Sequence, residues 1–158
     1  MYDLYDALKK DPYYVVNNQK FFQPDRILFL DGVMQSTLEG NAAYHESLVH
    51  PAMFAHAGPK RVAIVGGGEC ATLHEVLKHN TVEQVIMIDI DEAIVEASKL
   101  YLPDWNDCSN LVGSSRYCMD DPRATIFNED AFKWFIDRFG DNPTEKEPLF
   151  DVIILDAL

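Results

Sequence analysis

Four short, mainly apolar runs mark the second half of the chain: Val62–Val65, Val82–Ile88, Ala124–Phe127 and Phe150–Leu155. Between them, apolar residues recur at helical spacing over Ala71–His79, Glu92–Tyr101 and Ala131–Phe139. Apolar runs without strict polar alternation are strands buried on both faces, and intervening helices make such strands parallel. The pattern predicts an α/β fold with a parallel sheet covered by helices on both faces. One stretch, residues 103–123, breaks the alternation with polar residues and two cysteines and reads as a loop-rich insertion.

Residues before Lys60 follow another rhythm. The runs Arg26-Ile27-Leu28-Phe29-Leu30 and Val33-Met34-Gln35-Ser36 flank Asp31-Gly32, a strong hairpin signal. With the apolar pair Val15-Val16 upstream, this part reads as a small antiparallel β unit. Ala42–Ala55 is expected to be helical, with Tyr44, Leu48, Met53 and Phe54 on or near its apolar face. Pro51 is expected to break or kink that helix. Gly58-Pro59 is punctuation, which gives an expected division into a hairpin-and-helix region, 1–58, and a sheet domain, 59–158. No internal repeat or low-complexity segment is visible.

Ligands of open α/β sheets gather at the carboxyl ends of the strands. Here every such end carries an acid. The first strand runs into Gly66-Gly67-Gly68-Glu69, the second into Asp89, the third into Glu129-Asp130 and the fourth into Asp156. The glycines allow a sharp turn and close approach of a ligand. A phosphate-cradling loop offers amides and a cation, so the carboxylate of Glu69 suits an ammonium or sulfonium ligand instead. Four acids over one crevice cost free energy unless they bind cations or some are protonated. Asp89, about twenty residues past the glycines, stands where an acid holds ribose hydroxyls. Asp91 reads as a helix N-cap. Asp130 has two readings, an adenine contact or a helix cap, and Asp156 also has two, a catalytic acid–base or an ordinary strand-end residue.

Composition narrows the partners. Acids outnumber bases 26 to 13, for a formal charge of −13, which argues against sequence-independent nucleic-acid binding. No apolar run approaches membrane-spanning length, and Met1–Tyr5 opens no signal peptide. Cys70, Cys108 and Cys118 are odd in number and form no CxxC, so a reducing, cytoplasmic setting is expected. The histidines form no HExxH and no metal is expected; His74 and His79 are assigned to a solvated helix side. No cysteine is read as a nucleophile, and Trp105 and Trp134 are read as packing residues.

In order along the chain, Leu30-Asp31-Gly32-Val33-Met34-Gln35-Ser36, Tyr44-His45-Glu46, His50-Pro51, Gly66-Gly67-Gly68-Glu69, Ile88-Asp89-Ile90-Asp91-Glu92, Asn128-Glu129-Asp130-Ala131 and Phe150–Asp156 resemble the polyamine aminopropyltransferases. These are the spermidine, spermine and thermospermine synthases. The resemblance covers roughly residues 26–158, and Glu69 with Met-Gln-Ser and Tyr-His-Glu is most similar to thermospermine synthases. It implies a Rossmann-like, methyltransferase-type sheet preceded by a β-hairpin domain. It also implies transfer of an aminopropyl group from decarboxylated S-adenosylmethionine to an amine, putrescine or spermidine, releasing methylthioadenosine. That donor is a co-substrate, and neither a permanent cofactor nor a metal is implied. By position, Glu69 would face the donor's ammonium, Asp89 the ribose and Asp130, with Ala131, the adenine. Asp156 would take a proton from the attacking amine and Tyr44 would orient it. Gln35 and His45 would line the cleft. A cytoplasmic homodimer or homotetramer is expected.

Three departures stand out. Cys70 and Ala131 replace frequent glycines, and Cys70 would be strained if its position needs positive φ. The insertion lies beside the expected nucleotide site. The chain stops at Leu158, two residues past Asp156, and so reads as truncated at its C-terminus. Two other functions stay open: an S-adenosylmethionine-dependent methyltransferase, against which Glu69 would repel the donor's carboxylate, and a non-catalytic paralogue that regulates a partner. A NAD-dependent dehydrogenase is a weak third because the glycines are not spaced GxGxxG.

Overall fold

The computed structural model describes residues 8–17, 25–141, 143 and 147–157. The segment Met1–Tyr5 and Leu158, used above to argue for no leader and for truncation, lies outside these. Contacts divide the chain into two units, Met1–Glu39 and Gly40–Leu158, a boundary that falls within a helix rather than at residues 58/59.

The first unit contains a short helix, α1 (Tyr14–Asn17), and a hairpin of β1 (Ile27–Leu30) and β2 (Val33–Thr37). Val15 and Val16 belong to α1, not to the β unit. The hairpin forms where Asp-Gly foretells it: Asp31 and Gly32 both have positive φ, 50° and 80°, as the tight turn of a twisted hairpin requires. Leu28 pairs with Ser36 and Phe29 with Met34, which leaves Gln35 bulged out of the ladder. Such bulges re-aim a side chain.

The second unit carries most of α2 (Leu38–Ala55), then β3 (Arg61–Gly66), α3 (Ala71–Leu77), β4 (Gln84–Asp89), α4 (Glu92–Tyr101), β5 (Ala124–Asn128), α5 (Ala131–Phe139) and β6 (Val152–Asp156). The four strands β3 to β6 form one parallel sheet in the order β5-β4-β3-β6. All four carboxyl ends therefore lie along one edge. Alternate residues feed two cores. Val62, Ile64, Val85, Met87, Val152 and Ile154 pack with α2, α3 and α4 on one face. Ile86 and Ile88 pack under Trp134 of α5 on the other, with Phe127, Phe135, Phe139 and Phe150 around them. This second cover does not extend over β6, whose Ile153 and Leu155 are exposed. Trp105 and Trp134 are fully buried, as their reading as packing residues requires.

Two expectations about α2 fail. The helix starts earlier than Ala42 and runs unbroken through Pro51. Its buried face is His45, Val49 and Met53, a stripe at i, i+4 and i+8, while Tyr44 and Phe54 are exposed. Polar periodicity misplaces the stripe because His45 is buried with hydrogen bonds at both ring nitrogens.

His74 and His79 also differ from expectation. They belong to a polar cluster joining α2 to α3 rather than to a solvated side. His50 Nδ1 lies 3.0 Å from His79 Nε2. The buried Glu75 accepts from Lys78 at 2.6 Å and lies 3.2 and 3.3 Å from His50 and His74. Burial would push the Glu75 carboxyl up, but hydrogen bonds from His74 and Lys78 outweigh it and hold the group at about 2.

The insertion is organised by a disulfide between Cys108 and Cys118, both fully buried against the first core. The odd count and the lack of a CxxC, read above as pointing to a reducing setting, did not reveal this pair; Cys70 is free and buried. Sequence spacing could not reveal the pair because a two-strand bridge, Asp107 with Tyr117, brings the cysteines together. Among the described residues no helix is long and apolar enough to cross a membrane.

The disulfide closes a loop of sequence separation 10. Restricting the unfolded chain by such a loop contributes about 2–3 kcal/mol. Replacing both Cys108 and Cys118 by Ser in the full-length protein is expected to lower stability to urea by about that amount. Equal midpoints for the double variant and the oxidised parent would show that the bridge carries no such load.

Candidate functional site

The site begins with the register of β3 against β6. Gly66 pairs with Asp156, so the end of β6 lies directly beside the start of the glycine loop. A Cβ on Gly66 would stand 2.3 Å from the Asp156 carbonyl oxygen, and its φ is +82°. Only glycine fits both the contact and the turn. The loop closes with Cys70 N–H donating to the Gly67 carbonyl at 2.8 Å, and α3 follows at once. Cys70 caps that turn at φ 70° with its side chain buried, so a non-glycine residue does occupy a left-handed position here. The strain anticipated for Cys70 is present, at a cost of about 1–2 kcal/mol. Burial, with the charges of Glu69, Asp89 and Asp120, pushes the Cys70 thiol far up, so it stays protonated and inert.

Around this junction the carboxyl of Asp156 is held from two sides. Thr72 Oγ1 donates to Oδ2 at 2.5 Å and Tyr44 Oη points to Oδ1 at 3.4 Å. Tyr44 is half-exposed and sits edge-on to the His45 ring, with centroids 4.8 Å apart. His45 Nε2 in turn lies 2.9 Å from Glu69 Oε1. One donor atom each from His45, Glu69 and Asp156 lies within 4.8 Å of the others, a mixed imidazole–carboxylate set fit to hold a cation. Helix α2, the glycine loop and β6 thus each deliver one charged group to a single point.

Electrostatics at that point are unbalanced. Burial and the charge of Glu69 raise the Asp156 carboxyl, against the Thr72 hydrogen bond, the charge of His45 and the Tyr44 hydroxyl. Burial and the neighbouring Asp156 raise the Tyr44 phenol. For His45, burial works against the charged form, but hydrogen bonds to Glu69 and to the Asn41 carbonyl, with the charges of Glu69 and Asp156, outweigh it and raise the imidazole.

The other predicted residues are arranged along the same edge. Asp89 ends β4, where Oδ1 accepts from Asp91 N–H at 2.8 Å. A Cβ on Gly68 would stand 2.6 Å from Ile94 Cγ2 and 2.9 Å from Asp89 Oδ2, so a side chain here would push both of these away. Asp91 caps α4 through Ala93 and Ile94, as read from sequence. Asp130 caps α5, and Oδ1 takes both bonds, from Phe132 and Lys133 N–H. The cap reading of Asp130 is therefore realised, and Oδ2 remains for another partner. Ala131 is the first residue of α5 and packs toward Trp134. The strand ends of β4 and β5 are adjacent, with Asp89 paired to Asn128. Gln35 belongs to the first unit; its amide donates to the Val33 carbonyl at 3.4 Å.

Thr72 was not singled out in the sequence, although its position in the first turn of α3 after the glycine loop could have signalled it. The pairing of His45 with Glu69 was also missed, since it joins residues 24 apart in sequence across two elements.

Comparison with known proteins adds identity to the geometry. The Spermine/spermidine synthase domain profile matches residues 41–158. Polyamine aminopropyltransferase 1 of Hyperthermus butylicus is 46% identical over 133 residues, covering 83% of this chain and 40% of the relative. The polyamine aminopropyltransferase of Pyrobaculum calidifontis is 40% identical over 152 residues, 95% of this chain and 47% of the relative. Spermidine synthase from Thermotoga maritima superposes with a TM-score of 0.69 at 36% identity, covering 84% of this chain and 40% of that one. A spermidine synthase structure in complex with the transition-state analogue AdoDATO matches with the same TM-score and identity. The chain spans about two fifths of the length of the relatives it matches, between 40% and 47% for these two enzymes.

The Thr72 hydrogen bond favours the ionised form of Asp156. Thr72→Val is therefore expected to raise the Asp156 carboxyl further, read by carbon NMR titration of that side chain. A titration that moved downward would contradict the assigned direction.

Proposed function

The chain belongs to the spermine/spermidine synthase family, and from that premise we propose that it is the donor-binding part of a polyamine aminopropyltransferase. The observation that carries the reading is the convergence of Glu69, His45, Asp156 and Tyr44 at the end of β3 and β6. Two carboxylates held within 4.8 Å of each other, with Glu69 only partly buried, favour a cationic ligand over a phosphate or carboxylate. Asp89 beside Gly68 suits the ribose of an adenosyl donor, and the Oδ2 of Asp130 suits the adenine amino group.

The chemistry follows from these positions. A protonated amine has no lone pair, so Asp156 takes one proton from it, and the freed nitrogen then attacks the aminopropyl carbon. Burial and Glu69 raise Asp156, which makes it a better base than an ordinary carboxylate. The new C–N bond forms as the C–S bond breaks, and the sulfonium leaves as the neutral thioether, methylthioadenosine. Tyr44, at 3.4 Å from the Asp156 carboxyl, orients the base and the amine. The rest of the work is alignment of nitrogen, carbon and sulfur. A methyltransferase would have to seat the donor's carboxylate against Glu69, which repels it.

The test is to incubate the full-length protein with decarboxylated S-adenosylmethionine and either putrescine or spermidine. Methylthioadenosine and a longer polyamine are the expected products, resolved by chromatography; a methylated product from S-adenosylmethionine would replace this reading with the other. Asp156→Asn keeps the shape of the base but cannot accept the proton. Turnover is expected to fall about 10²- to 10⁴-fold with donor affinity nearly unchanged. Turnover within a few-fold of the parent would move the base elsewhere.

A further inference from the structure

Among the described residues of this site, His45 is the basic side chain set among the acids, and its surroundings bear on its protonation. The ring is 1% exposed. Nδ1 lies 2.8 Å from the carbonyl oxygen of Asn41, one turn earlier in α2. A carbonyl can only accept, so Nδ1 carries a hydrogen and donates it. Nε2 lies 2.9 Å from Glu69 Oε1, and a carboxylate also only accepts. With both nitrogens facing oxygen atoms that accept, the geometry suits a doubly protonated imidazolium opposite an ionised Glu69. A neutral ring with its hydrogen on Nδ1 would set the Nε2 lone pair against the Glu69 carboxylate inside a buried pocket, an arrangement of high cost.

The groups facing this ring are Glu69 from the glycine loop, Asp156 from β6 and the Tyr44 phenol from its own helix. Glu69 and Asp156 carry two negative charges when ionised, and the imidazolium offsets one. A ligand ammonium approaching Glu69 competes with that imidazolium for the same carboxylate oxygens. Once the ammonium is seated, a second positive charge beside it is repelled. Loss of the Nε2 proton instead leaves a lone pair that can accept from the ammonium N–H.

We propose that His45 holds the place of the donor's ammonium as a resident imidazolium, and that binding of the cationic aminopropyl arm releases the Nε2 proton to solvent. This rests on the reading of the site as a pocket for a decarboxylated adenosyl donor. At the arm the exchange balances, one ammonium entering as one proton leaves, so that only the donor's sulfonium adds to the charge of the site. Two consequences follow. The donor binds the deprotonated ring more tightly, so its affinity rises with pH. The rise is up to about tenfold per pH unit, between the ordinary imidazole range and the raised value of the protein alone, and flattens above it. A ligand with the adenosine but no ammonium leaves the ring protonated. His45 thereby acts as a specificity-determining residue that makes affinity depend on the charge of the arm.

Isothermal calorimetry on the full-length protein near neutral pH, in two buffers of different ionisation enthalpy, counts the protons released. Decarboxylated S-adenosylmethionine is expected to release about one proton and methylthioadenosine none. In His45→Gln, whose amide can still donate to Glu69 but does not titrate, the donor is expected to bind without proton release and without the pH dependence. Release of no proton by the parent, or equal release by His45→Gln, would overturn the proposal while leaving the donor reading intact. Failure of both ligands to bind would overturn the donor reading and this inference together. Nitrogen NMR of His45 decides independently if the variant does not fold. Both ring nitrogens are expected to be protonated before donor addition, and Nε2 unprotonated after it. A neutral ring at the start would overturn the proposal.

Discussion

The contact between Gly66 and Asp156 is the constraint on which the site depends. β3 and β6 run parallel in a register that places the Asp156 carbonyl where any side chain on Gly66 would stand. With no Cβ there, β6 can end against the first turn of the loop. That in turn brings the Asp156 carboxyl within reach of Thr72 at the head of α3 and of Tyr44 on α2. The other loop residues inherit their positions from this junction. Gly68 passes Asp89, and Glu69 turns toward His45. A parallel sheet supplies the common edge, but the missing side chain at Gly66 turns that edge into a point where charges meet.

Once they meet, electrostatics decides what the point can do. Two carboxylates and one imidazole within 4.8 Å, on buried or half-buried side chains, are not at rest with two negative charges. The structure answers the cost in two ways. The Asp156 carboxyl is raised, first by burial and then by Glu69. The His45 imidazole is raised against burial by the Glu69 and Asn41 oxygens on its two sides. Both shifts report the same local field, one that favours positive charge at this point. The Cys70 thiol, buried one residue from Glu69, is driven the opposite way from reactivity by the same acids.

Much of this was legible in the sequence, for reasons specific to each element. Asp31-Gly32 named the hairpin because its turn needs positive φ at both positions. The apolar runs named the parallel strands, and the acid after each run named the edge along which the carboxylates of the strand ends gather. Asp91 was readable as a cap because capping is local. What was not legible is what tertiary packing decides. The buried face of α2 includes a histidine, so hydropathy placed Tyr44 and Phe54 inside when they are outside. The Cys108–Cys118 pair depends on a small bridge within the insertion. The His45–Glu69 contact, and the hold of Thr72 on Asp156, join residues distant in sequence and could not be derived from spacing.

We propose that carboxylates at the strand ends select an adenosyl donor whose arm is purely cationic. Calorimetric comparison of decarboxylated S-adenosylmethionine with S-adenosylmethionine itself tests this most directly, in the full-length parent and in Glu69→Gln. The decarboxylated donor is expected to bind more tightly, with the gap narrowed in Glu69→Gln because the group that repels the extra carboxylate is neutralised. Equal or tighter binding of S-adenosylmethionine by the parent would contradict it.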